Sequence, residues 1–354
     1  MFYRENGQFK STYAADQQLL PILQDKAFML ALVAFAFIAV PFLASDYLFL
    51  SLLIPFLILA LAAIGLNLLV GYCGQISIGH AAFMAVGAYA AYNIALRIPQ
   101  LSFLVVLVLA GGIAALVGVL FGIPSLRIKG LYLAVATLAA QFFMDWVFAR
   151  VKWFTNYAPS GSVSTAPIEL LGWKIDTPAE KYVFLLAVLI VFTVVARNLV
   201  RGHIGRAWMA MRDMDVAAEV IGIRPVYAKL SAFAVSSFYV GVAGALWGFV
   251  HLGSWEPLAF NLTLSLNLLF MIIIGGMGSI LGSYFGAAFI VLLPILLNQA
   301  PLLLGIPIST AMISHLEFMI FGALIVLFLI VEPHGLARLW AIGKEKLRLW
   351  PFPH

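Results

Sequence analysis

GYCGQISIGHAAFMAVGAYAAY, residues 71–92, follows an apolar run at 48–70 and does not read as an ordinary membrane or surface helix. It is dense in glycine and other small residues, with Gln75, Ser77 and His80 among them. Its surroundings make that density informative. Of the chain's 354 residues, 64% are hydrophobic and 10% charged, whereas soluble domains carry about 25% charged residues. A water-facing surface cannot be assembled from that stock, so a bilayer must solvate the apolar excess. A second stretch, IIIGGMGSILGSYFGAAF at 272–289, repeats the pattern with Ser279 and Ser283. Irregular backbone at membrane depth is tolerated where protein buries it or a wet cavity lines it, and transporters use such breaks to aim half-helix ends at a polar substrate. Close packing through small residues is the alternative reading of the glycines.

A helix needs about 20 apolar residues to cross the hydrocarbon core. The candidate spans are 27–44, 48–70, 77–96, 101–123, 131–149, 182–200, 230–252, 262–276, 284–300 and 313–331. The expected fold is therefore all-α, a polytopic bundle of about ten spans with Gly-rich broken or re-entrant helices. The expected organisation is a cytoplasmic tail at 1–26, a transmembrane domain at 27–331 and a second cytoplasmic tail at 332–354. Arg and Lys cluster at 197–229, at Arg127 and Lys129, and at Arg338, Lys344, Lys346 and Arg348. Ten spans put these clusters on one side, the cytoplasmic one by the positive-inside rule. The loop at 150–181 is then external, although it holds Arg150, Lys152, Lys174 and Lys181; Glu169, Asp176 and Glu180 offset part of that charge. Basic residues confined to loops look like topology signals, and no nucleic-acid-binding patch is seen. The single cysteine, Cys73, excludes an intramolecular disulfide and reads as a packing residue.

Polar residues inside spans are costly and so informative. Thr137, Gln141 and Asp145 stand at i, i+4 and i+8 on one helix face. Asn67 and Asn267 sit in LNLL segments at 66–69 and 266–269, each preceding a Gly-rich break, and AAF follows each break at 81–83 and 287–289. The echo describes a parallel repeat. The two asparagines fit an interhelical hydrogen bond or a pathway lining, and His80 a cap, a packing role or a substrate contact. The proposed pathway set is Asn67, Gln75, Ser77, His80, Thr137, Gln141, Asn267, Gly275, Gly276, Gly278 and Ser279. No carboxylate relay, acidic ring or metal-ligand cluster is evident, which argues against an ion-coupled carrier or a cation channel. Neutral polar groups between apolar walls suit a neutral or zwitterionic solute.

Between the sixth and seventh spans, RAWMAMRDMDVAAEVIG at 206–222 places Trp208, Met211, Met214, Ala218 and Ile221 at helical spacing. Arg212, Asp215 and Glu219 form a charged face. Gly222 is placed to end the helix, and Pro225 stops its continuation. This predicts one amphipathic helix, resting on the membrane or docking a cytoplasmic partner.

GLNLLVGYCGQISIGHAAFMAVGAY (65–89), GLYLAVATLAAQ (130–141), GRAWMAMRDMDVAAEVIG (205–222) and the Gly-rich 272–289 segment together resemble the permeases of the branched-chain amino-acid ABC importers, of the LivM type. The resemblance implies a complex with a second homologous permease, two ATP-binding subunits and a periplasmic solute-binding protein, in a bacterial inner membrane. It implies that Arg206, Arg212, Asp215, Ala217, Ala218, Glu219 and Gly222 contact an ATP-binding subunit. It also implies import by alternating access. Relatives often carry an acid where Gln141 stands and a Thr-Asn-Gly turn where Thr155–Asn156–Tyr157 stands here. Similar permeases import urea, short amides or aromatic acids, and a stand-alone secondary transporter or channel is the reading from another class. The chain has no phosphate-binding G-x-x-x-x-G-K-[ST] loop. ATP and Mg are therefore expected on partner subunits, with no cofactor and no catalytic or metal residues on this chain.

Overall fold

The computed structural model describes residues 11–12, 23–128, 130–158, 160–165, 168–170, 173–304, 310–331 and 335–349. Most of the expected N-terminal tail, Lys129 and part of the connection before the last span lie outside the described residues. A helix occupies each of the ten predicted spans. They are α1 (Asp25–Leu43), α2 (Asp46–Tyr72), α3 (His80–Arg97), α4 (Phe103–Leu126), α5 (Leu131–Arg150) and α6 (Pro178–Arg201). The short α7 (His203–Asp213) and α8 (Asp215–Val220) intervene. They are followed by α9 (Pro225–Leu252), α10 (Leu262–Gly275), α11 (Ile280–Leu304), α12 (Thr310–Val331) and α13 (Gly335–Leu349). Among the described residues eight helices are long and apolar enough to cross a membrane; α3 is not one of the eight. The chain is a multi-pass membrane protein.

Both glycine-rich stretches break a helix, and the breaks are short. The first is the non-helical segment 74–79 between α2 and α3; the second is 276–279 between α10 and α11. Gly74, Gly276 and Gly278 hold positive φ, which a side chain would resist. α3 begins deep in the bundle. Its first residue, His80, meets Ser236, eleven residues into α9, or about 16 Å along that helix at 1.5 Å per residue. The non-helical segment 74–79 therefore carries irregular backbone into the bundle, with Gln75, Ser77 and Gly79 buried and Gly74 and Ile76 exposed.

Glycines elsewhere in the stretches serve close packing, so some of these glycines release the helix and others admit a neighbouring backbone. A Cβ on Gly87 would lie 2.0 Å from the Gly241 carbonyl oxygen, and one on Gly286 1.7 Å from that of Met271. Such approaches let backbones touch where no hydrophobic effect draws helices together. α9 is the buried central helix, packed on α3 and α4 along Gly241, Gly244 and Gly118. α1 lies at the periphery, its Phe28, Leu30, Phe35, Ile38 and Phe42 exposed.

The structure revises one expectation and adds detail to two others. The predicted single helix at 206–222 is two: Met214 is extended (φ −161°, ψ 93°) and turns the chain, so the apolar stripe splits. Trp208, Met211 and Ala218 are buried, whereas Met214 and Ile221 are 68% and 74% exposed. The segment after 332, expected as a tail, carries α13, held by a 3.0 Å Lys344–Asp25 ion pair. The loop at 150–181 holds three short strands, β1 (Val163–Ser164), β2 (Ile168–Leu170) and β3 (Trp173–Ile175). β2 and β3 pair with Glu169 opposite Lys174, an ion pair at 3.6 Å, and β1 pairs with β4 (Ser254–Trp255).

Candidate functional site

The predicted pathway residues gather in two clusters. The first surrounds the start of α3. A helix leaves its first amide groups unpaired, and an N-cap side chain ordinarily accepts from them. Here the N-cap is Gly79, where a Cβ would lie 2.2 Å from the Thr137 carbonyl oxygen. Capping therefore comes from other helices. The Ala81 amide donates to Ser265 Oγ at 2.8 Å and the Ala82 amide to Gln141 Oε1 at 2.7 Å. The Ile78 amide donates to Thr137 Oγ1 at 3.0 Å. His80, fully buried, lies between Ser77 Oγ at Nδ1 (2.8 Å) and Ser236 Oγ at Nε2 (2.9 Å). Gln141 Nε2 donates to the Phe260 carbonyl and to Asp145, which joins two members of the i, i+4 stripe, while the third, Thr137, bonds back to the Ala134 carbonyl. In this conformation the half-helix end meets protein groups.

The second cluster joins the two breaks. Asn67 Nδ2 donates to the Ser279 carbonyl (2.8 Å) and Ser283 Oγ (2.9 Å), and its Oδ1 accepts from the Gly278 amide (2.8 Å). Arg212 Nη1 of α7 donates to the Gly71 carbonyl at 2.9 Å, the end of α2 where the helix dipole favours a cation. A Cβ on Gly71 would meet Asn67 Oδ1 at 1.9 Å and the Gly278 amide nitrogen at 2.3 Å. α2 and α10 thus both run toward the α7–α8 end of the bundle, as the repeat predicts. Gly276 packs beneath Gly335 of α13 and Gly275 against Gly282. Asn267 joins neither cluster and is half-buried along α10. Gln75 is buried within the first break. Cys73 is buried and free, as its packing role requires.

Sequence reasoning missed Ser236 and Ser265, because a serine in an apolar helix is too ordinary to stand out. It missed Gly335 because its partners are distant in sequence. Of the segment predicted to dock, Arg206, Ala217, Glu219 and Gly222 are exposed, Asp215 is half-buried and Ala218 is buried. Arg212 turns partly inward to Gly71 and pairs with Asp213 at 2.8 Å. Gly222, at φ +91°, terminates the segment. Asn156 and Tyr157 hold φ +49° and +58°, a left-handed turn built without glycine. Among the described residues no group of three or more His, Cys, Asp or Glu could hold a metal ion.

The chain is 30% identical to the "High-affinity branched-chain amino acid transport system permease protein LivM" of Escherichia coli, over 89% of this chain and 75% of that protein. It is 29% identical to the protein of the same description from Salmonella typhimurium, with the same coverage. It is 22% identical to the "Probable branched-chain amino acid transport permease protein LivM" of Methanocaldococcus jannaschii, over 78% and 89% of the two chains. No solved structure gives a significant match. The family described as "Branched-chain amino acid transport system / permease component" matches residues 48–329, a stretch that takes in both helix breaks, the α7–α8 segment and the cap that α5 and α10 place on α3, and the chain belongs to that family.

Proposed function

We propose that this protein is the membrane-spanning subunit of an ATP-driven importer that passes branched-chain or other apolar amino acids to the cytoplasm by alternating access. The observation that carries the proposal is α8. Outside the spans, this short helix and its flanks expose Met214, Val216, Val220 and Ile221 beside Glu219. Apolar side chains collected on an extramembrane segment mark a protein contact. An ATP-binding subunit is the occupant, and Arg206, Asp215, Ala217, Ala218, Glu219 and Gly222 shape or border its seat. ATP and Mg reside on that subunit, and this chain performs no chemistry. A second homologous permease and a periplasmic binding protein complete the assembly. The α7–α8 end faces the cytoplasm of a bacterial inner membrane, with both termini on that side. The solute pathway runs past Gln75, Ser77, His80 and the two breaks.

Co-expression with the candidate ATP-binding subunit tests this. The wild-type chain is expected to retain the subunit through purification, and Val220→Asp with Ile221→Asp to lose at least ten-fold of it while staying folded in the membrane. Retention by the double variant would refute the docking assignment. Solute uptake by the chain alone would refute the importer.

A further inference from the structure

Buried polar groups in folded proteins are nearly always partnered, so each exception calls for an explanation. Among the described residues four buried side-chain polar atoms have no hydrogen-bond partner: Gln75 Oε1, Tyr89 Oη, Ser237 Oγ and Trp255 Nε1. Two of these lie on rings in mutual contact. Tyr89 of α3 and Trp255 of β4 meet edge to face with centroids 6.2 Å apart, and they are 0% and 3% exposed. Both orphans can donate. Aromatic rings surround them: Phe148 stacks on Tyr89 at 4.4 Å, and Phe249 and Tyr92 lie 6.0 and 6.2 Å from Trp255. Two unpartnered donors buried among aromatic rings complement a solute with an oxygen acceptor at one end and an apolar body at the other.

The box has a light cover. Trp255 follows α9 at the end of the bundle opposite Arg212, and the loop at 150–181 reaches across it. The tie is the two-residue β1–β4 pair, Val163 opposite Trp255 and Ser164 opposite Ser254. Thr165 adds its amide and hydroxyl to the Gly253 carbonyl at 3.0 and 3.1 Å. So short a strand pair is marginal by itself, and Gly161 at φ +69°, two residues before Val163 and with open space around it, offers a hinge. Lifting the cover costs the burial of Val163, which is 1% exposed.

We infer that Tyr89 and Trp255 are a solute-binding pair at the outer end of the bundle, donating to the carboxylate of an amino acid with an apolar side chain when Val163–Thr165 lifts away. The inference rests on the importer reading and adds to it a place and two hydrogen bonds. In the closed form the rings fill the space that the solute takes.

The test uses the reconstituted complex with its binding protein loaded with L-leucine, and the purified permease alone. Tyr89→Phe and Trp255→Phe are each expected to lower leucine uptake per ATP hydrolysed at least threefold, the scale of one lost hydrogen bond, with a larger loss in the double variant. The thermal midpoint of the purified Tyr89→Phe permease is expected to hold or rise, because the removed hydroxyl had no protein partner, whereas Trp255→Phe also deletes buried ring volume and lowers it. Unchanged uptake, or lost uptake with a lowered midpoint in Tyr89→Phe, would overturn the pair. A wild-type complex that moves no leucine would refute the importer reading instead. The pair is then judged by whether L-leucine raises the midpoint of the wild-type permease and leaves the double variant's unmoved.

Discussion

Gln141 shows how one residue type can be required where its closest relative in shape would fail. Its oxygen accepts from the Ala82 amide and Ser265, and its nitrogen donates to Phe260 and Asp145. Only a carboxamide supplies both functions with one planar group. Gln141→Ala leaves the Ala82 amide and the Phe260 carbonyl unpaired, and stranding buried groups costs about 1–3 kcal/mol. Gln141→Glu keeps the acceptor, and a carboxylate at the start of α3 suits the helix dipole. It also surrenders both donors and sets a second carboxylate beside Asp145. The expected order of stability is wild type, then Glu, then Ala, read from thermal unfolding in detergent. A Glu variant at least as stable as wild type would mean that the bonds to Phe260 and Asp145 contribute nothing.

At the scale of elements, the breaks were the most legible part of the sequence and their partners the least. Glycine density with interspersed polar residues located both interruptions, because few other compositions release a helix at membrane depth. The apolar stripe of 206–222 misled at Met214, since periodicity registers spacing and is blind to a chain that turns out of a continuous helix. The capping of α3 by α5 and α10 was illegible for a different reason. Ser265 and Gln141 are separated from Ala81 and Ala82 by long stretches of chain, and only packing brings them together. The second break allows a comparison of magnitudes. Asn67 bridges it with three hydrogen bonds, yet interhelical bonds in membranes average only about 0.6 kcal/mol. Gly71→Ala drives a methyl into Asn67 Oδ1 and the Gly278 amide, and overpacking costs about 1–3 kcal/mol. The added methyl at Gly71 is therefore expected to destabilise as much as the whole truncation Asn67→Ala, or more. Thermal midpoints of the two variants decide it, and a near-silent Gly71→Ala would show that the two breaks are less tightly joined than the geometry has them.

For the whole molecule, the proposed function requires that a push on α8 reach helices that never touch it. Arg212 belongs to the α7–α8 unit, yet its guanidinium holds the Gly71 carbonyl at the end of α2, and a Cβ on Gly278 would lie 3.3 Å from its Nη1. Displacing the unit therefore pulls on the point where both breaks meet, and Asn67 makes α2 and α11 follow together. Glu219 sits differently, exposed on the outer face of α8. The two residues should consequently fail in different ways. Glu219→Arg is expected to weaken retention of the ATP-binding subunit, so hydrolysis and uptake fall together in the reconstituted complex. Arg212→Ala removes the tie while leaving most of the exposed surface intact, so the subunit stays bound and hydrolysis continues while leucine moved per ATP drops several-fold. Arg212→Lys, which keeps the charge but loses the fork that holds Gly71 and Asp213 at once, should lie between. Were Arg212→Ala to release the subunit as fully as Glu219→Arg does, the bond to Gly71 would be a local detail of folding, and the route from α8 to the breaks would have to run through Trp208 and α9 instead.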